Sequence, residues 1–254
     1  MKDRLVLLAI ACLTFFCACN NAPQQEEEST APECLLEEFY YSTTEITPHF
    51  NIIWNIRAAI PKAGQDAATD LIRQQLIKRV FSYEGHIANT DDPQQAMEMY
   101  VNHANAVHTQ QASGEAMPDY SESISLSMTS ITDILITFVL STEEYYGGAH
   151  GSHENYYLVF DRRTGLQLTD NDIWGNVTKS ETKEMLVKAL TRYANANNID
   201  MGEFMIDNLG PNNNFYFAND SIYYTYNPYE IAAYCYGQQT IGIAIKDVKG
   251  CHLD

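Results

Sequence analysis

SESISLSMT, residues 121–129, is the stretch that decides the fold. Ile124, Leu126 and Met128 alternate with Ser123, Ser125 and Ser127. A period of two sets one face of a β-strand on a core and the other in water, as in antiparallel sheet. Ile131 to Leu140 follows, rich in Ile, Leu, Val and Phe, and reads as a second, more buried strand. EEYYGGAHGS, residues 143–152, breaks the pattern, and Tyr156–Asp161 resumes it. Arg162-Arg163-Thr164-Gly165 reads as a hairpin turn, after which Leu166–Leu168 returns.

Upstream, apolar and aromatic residues alternate from Leu35 to Ile60 and predict strands, with Pro48 and Pro61 as breaks. The spacing of Leu71, Ile72, Leu76, Ile77, Val80 and Phe81 predicts a helix over 66–81. A second helix starts at Asp92-Pro93, a cap followed by a residue suited to the first turn, and runs to about Val107 with Met97, Val101 and Ala104 inward. Thr178 with Glu181 is a capping-box pattern that opens a helix carrying Leu186, Leu190 and Tyr193. The last third closes in strands at 215–217, 222–226 and 240–245, with a turn at Asn219-Asp220. Strands, helices, strands, helix, strands is not a βαβ alternation. It predicts an α+β fold, antiparallel sheets with packed helices, in two abutting subdomains that meet near residue 140.

The N-terminus has the form of an export signal: Lys2 and Arg4, then the apolar run Leu5–Phe16. A bilayer span needs roughly 20 apolar residues, so this run is too short to be one. It ends in Phe16-Cys17-Ala18-Cys19, and a small residue before a cysteine at that place resembles the bacterial lipobox. The expectation is a signal peptide over 1–18, lipid attachment at Cys19, and an acidic flexible tether over 19–34.

The chain carries 15 basic and 33 acidic residues, a net charge of −18. Removing residues 1–18 takes away Lys2, Arg4 and Asp3, leaving the balance more acidic still. Nucleic acid and anionic lipid heads are repelled by such a surface, and cationic partners are favoured. Of six cysteines, Cys34, Cys235 and Cys251 lie in the body. Outside the cytoplasm Cys235 and Cys251 can pair, or Cys34 can pair with either.

Two passages stand out together. One is Tyr145-Tyr146-Gly147-Gly148-Ala149-His150-Gly151, leading to Asn155-Tyr156-Tyr157, Phe160-Asp161 and Thr164-Gly165. The other is Phe215-Tyr216-Phe217, then Tyr224, Asn227-Pro228-Tyr229-Glu230-Ile231-Ala232, Tyr234 and Gly237. The pair resembles the RsiV-like C-terminal domain, which places that domain at 141–254. Residues 35–140 resemble the companion N-terminal domain also found in a peptidoglycan deacetylase of the PdaC type. One relative is an anti-sigma factor whose external part binds lysozyme; its transmembrane helix and sigma-binding segment have no counterpart here. The deacetylase owes its chemistry to a separate domain with a Thr-Phe-Asp-Asp motif, also without counterpart. What the resemblance implies is an envelope-facing binding module.

In YYGGAHGSHENYY, glycines let backbone approach a partner and tyrosines offer amphipathic contact area. The competing reading is a tight corner held by His150. His150 and His153 with Glu154 do not have the spacing of a helical zinc site, and no second cluster completes one, so no metal and no cofactor is expected. No G-x-S-x-G occurs, and the carboxylates are too numerous to single out an acid–base pair. Glu143 and Glu144 read as solvated, and Glu230 as a residue satisfying backbone donors in its loop. His103 and His108 read as exposed or capping, and Trp54 and Trp174 as core or rim. The candidate binding loop is therefore Tyr145, Tyr146, Gly147, Gly148, His150, Gly151, His153, Tyr229, Glu230 and Tyr234. The expected function is a non-enzymatic envelope lipoprotein binding a protein, such as a lysozyme-like cationic one, or a cell-wall glycan. The alternative is an accessory factor or enzyme acting on peptidoglycan or another polysaccharide.

Overall fold

The serine-rich stretch is the middle strand of the larger sheet. The structure, a computed structural model, describes residues 33–47, 50–111 and 118–248. The signal peptide, Cys19, most of the tether, Pro48 and Cys251 lie outside the described residues. In chain order the elements are β1 (Leu36–Ile46), β2 (Asn51–Pro61), α1 (Ala67–Val80), β3 (Ser82–Tyr83), β4 (His86–Ile87), α2 (Pro93–Gln111), β5 (Tyr120–Ile131), β6 (Leu135–Tyr145) and β7 (Ser152–Asp161). There follow α3 (Asp170–Trp174), α4 (Lys179–Asn197), β8 (Phe215–Ala218), β9 (Ser221–Tyr226) and β10 (Gln239–Ala244), with short 3₁₀ turns between.

The fold is α+β. One sheet has the order β1-β2-β5-β6-β7, a second the order β10-β9-β8, and β3 and β4 form a small hairpin. All pairings are antiparallel except β2 with β5, which run parallel. A parallel pair needs a long crossover, and α1 and α2 supply it.

Parity along β5 sends Tyr120, Glu122, Ile124 and Leu126 to the inner face. There they join Trp54 and Ile56 of β2, Phe138 and Leu140 of β6, Leu158 and Phe160 of β7, and the apolar sides of α1 and α2 in one core. Trp54 is fully buried, and its indole N–H donates to Asn105 Oδ1 at 2.7 Å. Capping follows the sequence: Asp66 accepts from Thr69 N, Asp92 from Gln95 N, and Thr178 with Glu181 closes a capping box.

A second core lies on the reverse face of β7. Val159, between Leu158 and Phe160 in sequence, packs with α3, α4 and the three-stranded sheet. The boundary expected at 140 falls inside β6, and β7 serves both cores, one with each face.

Some bounds differ from expectation. Ile131 ends β5 rather than opening β6, because the Thr132 hydroxyl accepts from Ile134 N and Leu135 N and turns the chain there. β6 runs on through Tyr145 and β7 starts at Ser152, so the true break is only 146–151. Leu166–Leu168 contributes a single bridge, Phe160 to Gln167, not a strand. At Asn219-Asp220 both φ angles are positive (47° and 56°), as a tight two-residue hairpin turn requires.

Cys34 packs beside the first core while Cys235 is exposed in a 3₁₀ turn near the second; both thiols are free, so Cys34 and Cys235 are not joined. No helix among the described residues is long and apolar enough to cross a membrane.

Candidate functional site

β7 is an edge strand, and side-chain amides cap part of that edge. Asn227 Oδ1 accepts from Asn155 N at 2.8 Å, Asn214 Nδ2 donates to Asn155 O at 2.8 Å, and Asn214 Oδ1 accepts from Tyr157 N at 2.8 Å. Both capping asparagines are buried. They stand in for a sixth strand, satisfying backbone groups that an edge otherwise leaves open. The same bonds dock the segment after β9 beside the loop between β6 and β7.

That loop is shaped by close approach. Gly147 has φ +89°, and a Cβ there would lie 2.3 Å from Pro118 Cγ. At Gly151 a Cβ would lie 2.5 Å from the Glu144 carbonyl oxygen. Gly148 O accepts from the Tyr145 hydroxyl at 3.2 Å, and Gly151 O accepts from the Tyr234 hydroxyl at 3.0 Å. The His150 ring lies flat on Tyr234, with centroids 3.7 Å apart and planes 13° apart, while His153 meets Tyr234 edge-on at 6.0 Å. Across from them, Asn227-Pro228-Tyr229-Glu230 makes a turn closed by Glu230 N donating to Asn227 O at 3.1 Å. Proline in the second place and a positive φ in the third are the marks of a type II turn. The third place is held by Tyr229 at φ +72°, although glycine is the residue that suits it.

The result is a cleft of about 170 Å³ between loop and turn. It brings together Tyr145, Tyr146, Gly147, His150, Gly151, His153, Tyr229 and Tyr234 of the predicted loop. Gly148 is adjacent but does not line it. Glu230 is not in it either: its carboxylate accepts from the side-chain amide of Asn212 at 3.1 Å. Burial raises the Glu230 carboxyl above the usual range, and the Asn212 bond opposes the rise. Tyr145, Tyr146 and Tyr229 are 42%, 57% and 59% exposed. Two carboxylates, Glu144 and Glu154, also line it, and among the described residues no lysine or arginine does.

Glu144 is not solvated, as its sequence suggested. It is half-buried on the inner face beside Glu122, its cross-strand neighbour. Burial raises its carboxyl, Glu154 adds to the rise, and the Tyr146 hydroxyl at 3.4 Å works against it. Behind it Glu122 is buried outright and accepts from the Tyr100 and Tyr120 hydroxyls, each at 2.5 Å. Burial pushes the Glu122 carboxyl up, the two tyrosine bonds pull it down, and Glu144 raises it again. The signal for Glu122 was parity with Ile124 and Leu126; its charge hid it. His108 is neither exposed nor a cap: its ring packs 3.9 Å from Tyr120 and its Nε2 is 3.1 Å from the Tyr83 hydroxyl. Burial lowers its pKa. His103, also half-buried, stacks on His86.

Among the described residues no group of three or more His, Cys, Asp or Glu side chains could hold a metal ion. His150 and His153 both turn their rings to Tyr234.

Residues 171–246 match a protein family described as a protein of unknown function, DUF3298. No curated protein matches the chain. Two solved structures share its fold. A DUF3298-family protein of Bacteroides fragilis NCTC 9343 superposes with a TM-score of 0.65 at 22% identity, over 84% of this chain and 92% of that one. A DUF3298-family protein of Pseudomonas aeruginosa PAO1 does so with a TM-score of 0.62 at 16% identity, over 87% and 94%. Residues 171–246, from within α3 to just past β10, thus match the DUF3298 family, and the chain has the fold of two solved proteins of that family.

Proposed function

We propose that this chain is a non-enzymatic lipoprotein of the bacterial cell envelope that captures a cationic protein in the cleft between the YYGGAHG loop and the Asn227–Glu230 turn. Tyr229 carries the reading. An L-residue held at φ +72° gives up about 1–2 kcal/mol. That cost is paid to hold a ring which the fold leaves mostly in water, 5.6 Å from Tyr234. A strained, exposed aromatic beside two carboxylates suits a lysine or arginine side chain, which gains both cation–π and ionic attraction. Glu230 lies outside the cleft and is engaged with Asn212.

The remaining parts follow from the sequence. Acylated Cys19 tethers the body outside the cytoplasm, the anchor is the one contact with the membrane, and the charge turns nucleic acid away. The sequence resemblance to the RsiV-like C-terminal domain, and of residues 35–140 to the PdaC-type companion, makes a lysozyme-like protein the first partner to try. Calorimetric titration with lysozyme tests the proposal. Binding is expected at about 50 mM salt, weakened at least tenfold near 500 mM. Tyr229→Ala is expected to weaken it about tenfold with the fold intact. No binding at low salt, or full binding by Tyr229→Ala, overturns it.

A further inference from the structure

The outer face of the five-stranded sheet, away from α1 and α2, carries a second recognition surface. Register lines up its side chains in rows across the strands. One row is Tyr40, Arg57, Ser125, Ser141 and Asn155; the next is Ser42, Asn55, Ser123, Glu143 and His153. Their neighbours in sequence, such as Tyr41, Ile56, Ile124 and Tyr156, belong to the core side, so each row points outward.

Between these rows lies a cleft of about 400 Å³. A further cleft of about 280 Å³, lined by Ser121, Ser123, Glu143, Glu144 and His153 among others, continues it toward Tyr145 and Tyr234. The central strand offers only serines, so the floor is low. Tyr40 stands at the far end, 60% exposed, with the Arg57 guanidinium over its ring at 5.4 Å. Five strands at about 4.8 Å spacing make a track of roughly 19 Å.

We propose that this track binds an extended, uncharged oligosaccharide, with Tyr40 on β1 and Tyr145 on β6 as stacking platforms and Ser123, Ser125, the Asn55 amide and Arg57 as hydrogen-bonding partners between them, Asn155 being already held by Ser141 and Gln238. Charge selects the class. In the larger cleft Arg57 and Glu143 are the charged side chains of the lining, one of each sign, on a chain of net −18, and the continuation adds Glu144. The corner cleft, by contrast, holds two carboxylates and no cation. Hydroxyl and amide groups together with tyrosine faces are what sugar hydroxyls and sugar C–H faces require.

The Tyr40 end of the track lies apart from the corner, whereas the other end shares Tyr145, His153 and Tyr234 with the corner cleft. The full chain is titrated with the hexaoses of cellulose, chitin and starch, reading heat and tyrosine fluorescence. At least one is expected to saturate. Ser125→Trp, which fills the track, and Tyr40→Ala, which removes a platform, are each expected to weaken that binding about tenfold or more, with melting temperature unchanged. Tyr229→Ala is expected to leave it intact, and the track variants to leave lysozyme titration intact. The inference is overturned if none of the three hexaoses saturates, or if both track variants bind as well as the parent chain.

Discussion

The two faces of β7 and its open edge are held by different forces. On one face Leu158 and Phe160 sink into the core under α1 and α2, and on the other Val159 meets the second core. At the edge, three backbone groups are held by the amides of Asn214 and Asn227 instead of a neighbouring strand. Apolar burial is tolerant of small displacements, because it scales with area. Hydrogen bonds to a strand edge have one register. The contrast teaches that the core fixes where β7 lies, while the amides fix where the Tyr229 turn lies relative to it.

Substitutions should separate these roles. The largest effect is expected for Leu158→Ala, about 2–5 kcal/mol in urea denaturation, through lost burial and a cavity. Asn227→Ala should cost less, about 1–3 kcal/mol, because it leaves the Asn155 N–H without its acceptor. Hydrogen exchange should then accelerate at Asn155 and in the turn, while β5 and β6 stay protected. Equal loss of protection across the whole sheet would break the distinction.

A third test concerns the polar end of the inner face. Burial holds the Glu122 carboxyl above its unfolded value. Its stabilising contribution is therefore whole below the ordinary glutamate range and is lost as pH rises through the raised value. Glu122→Gln stays neutral throughout. Its urea midpoint should lie closest to that of the parent near about pH 4 and exceed it increasingly toward about pH 8. A constant offset would remove Glu122 from the account.

Tyr229→Gly should have the smallest effect on stability and the opposite sign. Relief of the positive φ is expected to leave stability unchanged or raise it by up to about 1 kcal/mol, while binding at the cleft falls. A loss of stability would show that the ring serves packing.

Most of the framework was legible. The alternation at 121–129, the Thr178–Glu181 capping box and the turn at Asn219-Asp220 act within a few residues, and short-range chemistry is what a sequence displays directly. The aromatic and glycine residues of the cleft were visible as composition, and the structure brings two of their segments together. What stayed hidden acts at a distance. Asn227 looks like the start of an ordinary Asn-Pro turn; that its amide caps Asn155 depends on a partner 72 positions away. Glu122 and Glu144 carry charges that argue for water, yet parity and tyrosine donors decide otherwise. α3, only five residues long, offered too little periodicity to be noticed.

The parallel pairing of β2 with β5 has a consequence for how the chain is made. Trp54 and Ile56 are synthesised early, but the strand that lies beside them comes only after both helices. Joining ends so far apart in sequence carries a loop-closure cost and slows assembly. Until Tyr145 has emerged, the nascent sheet lacks its central and later strands and presents an adhesive apolar surface.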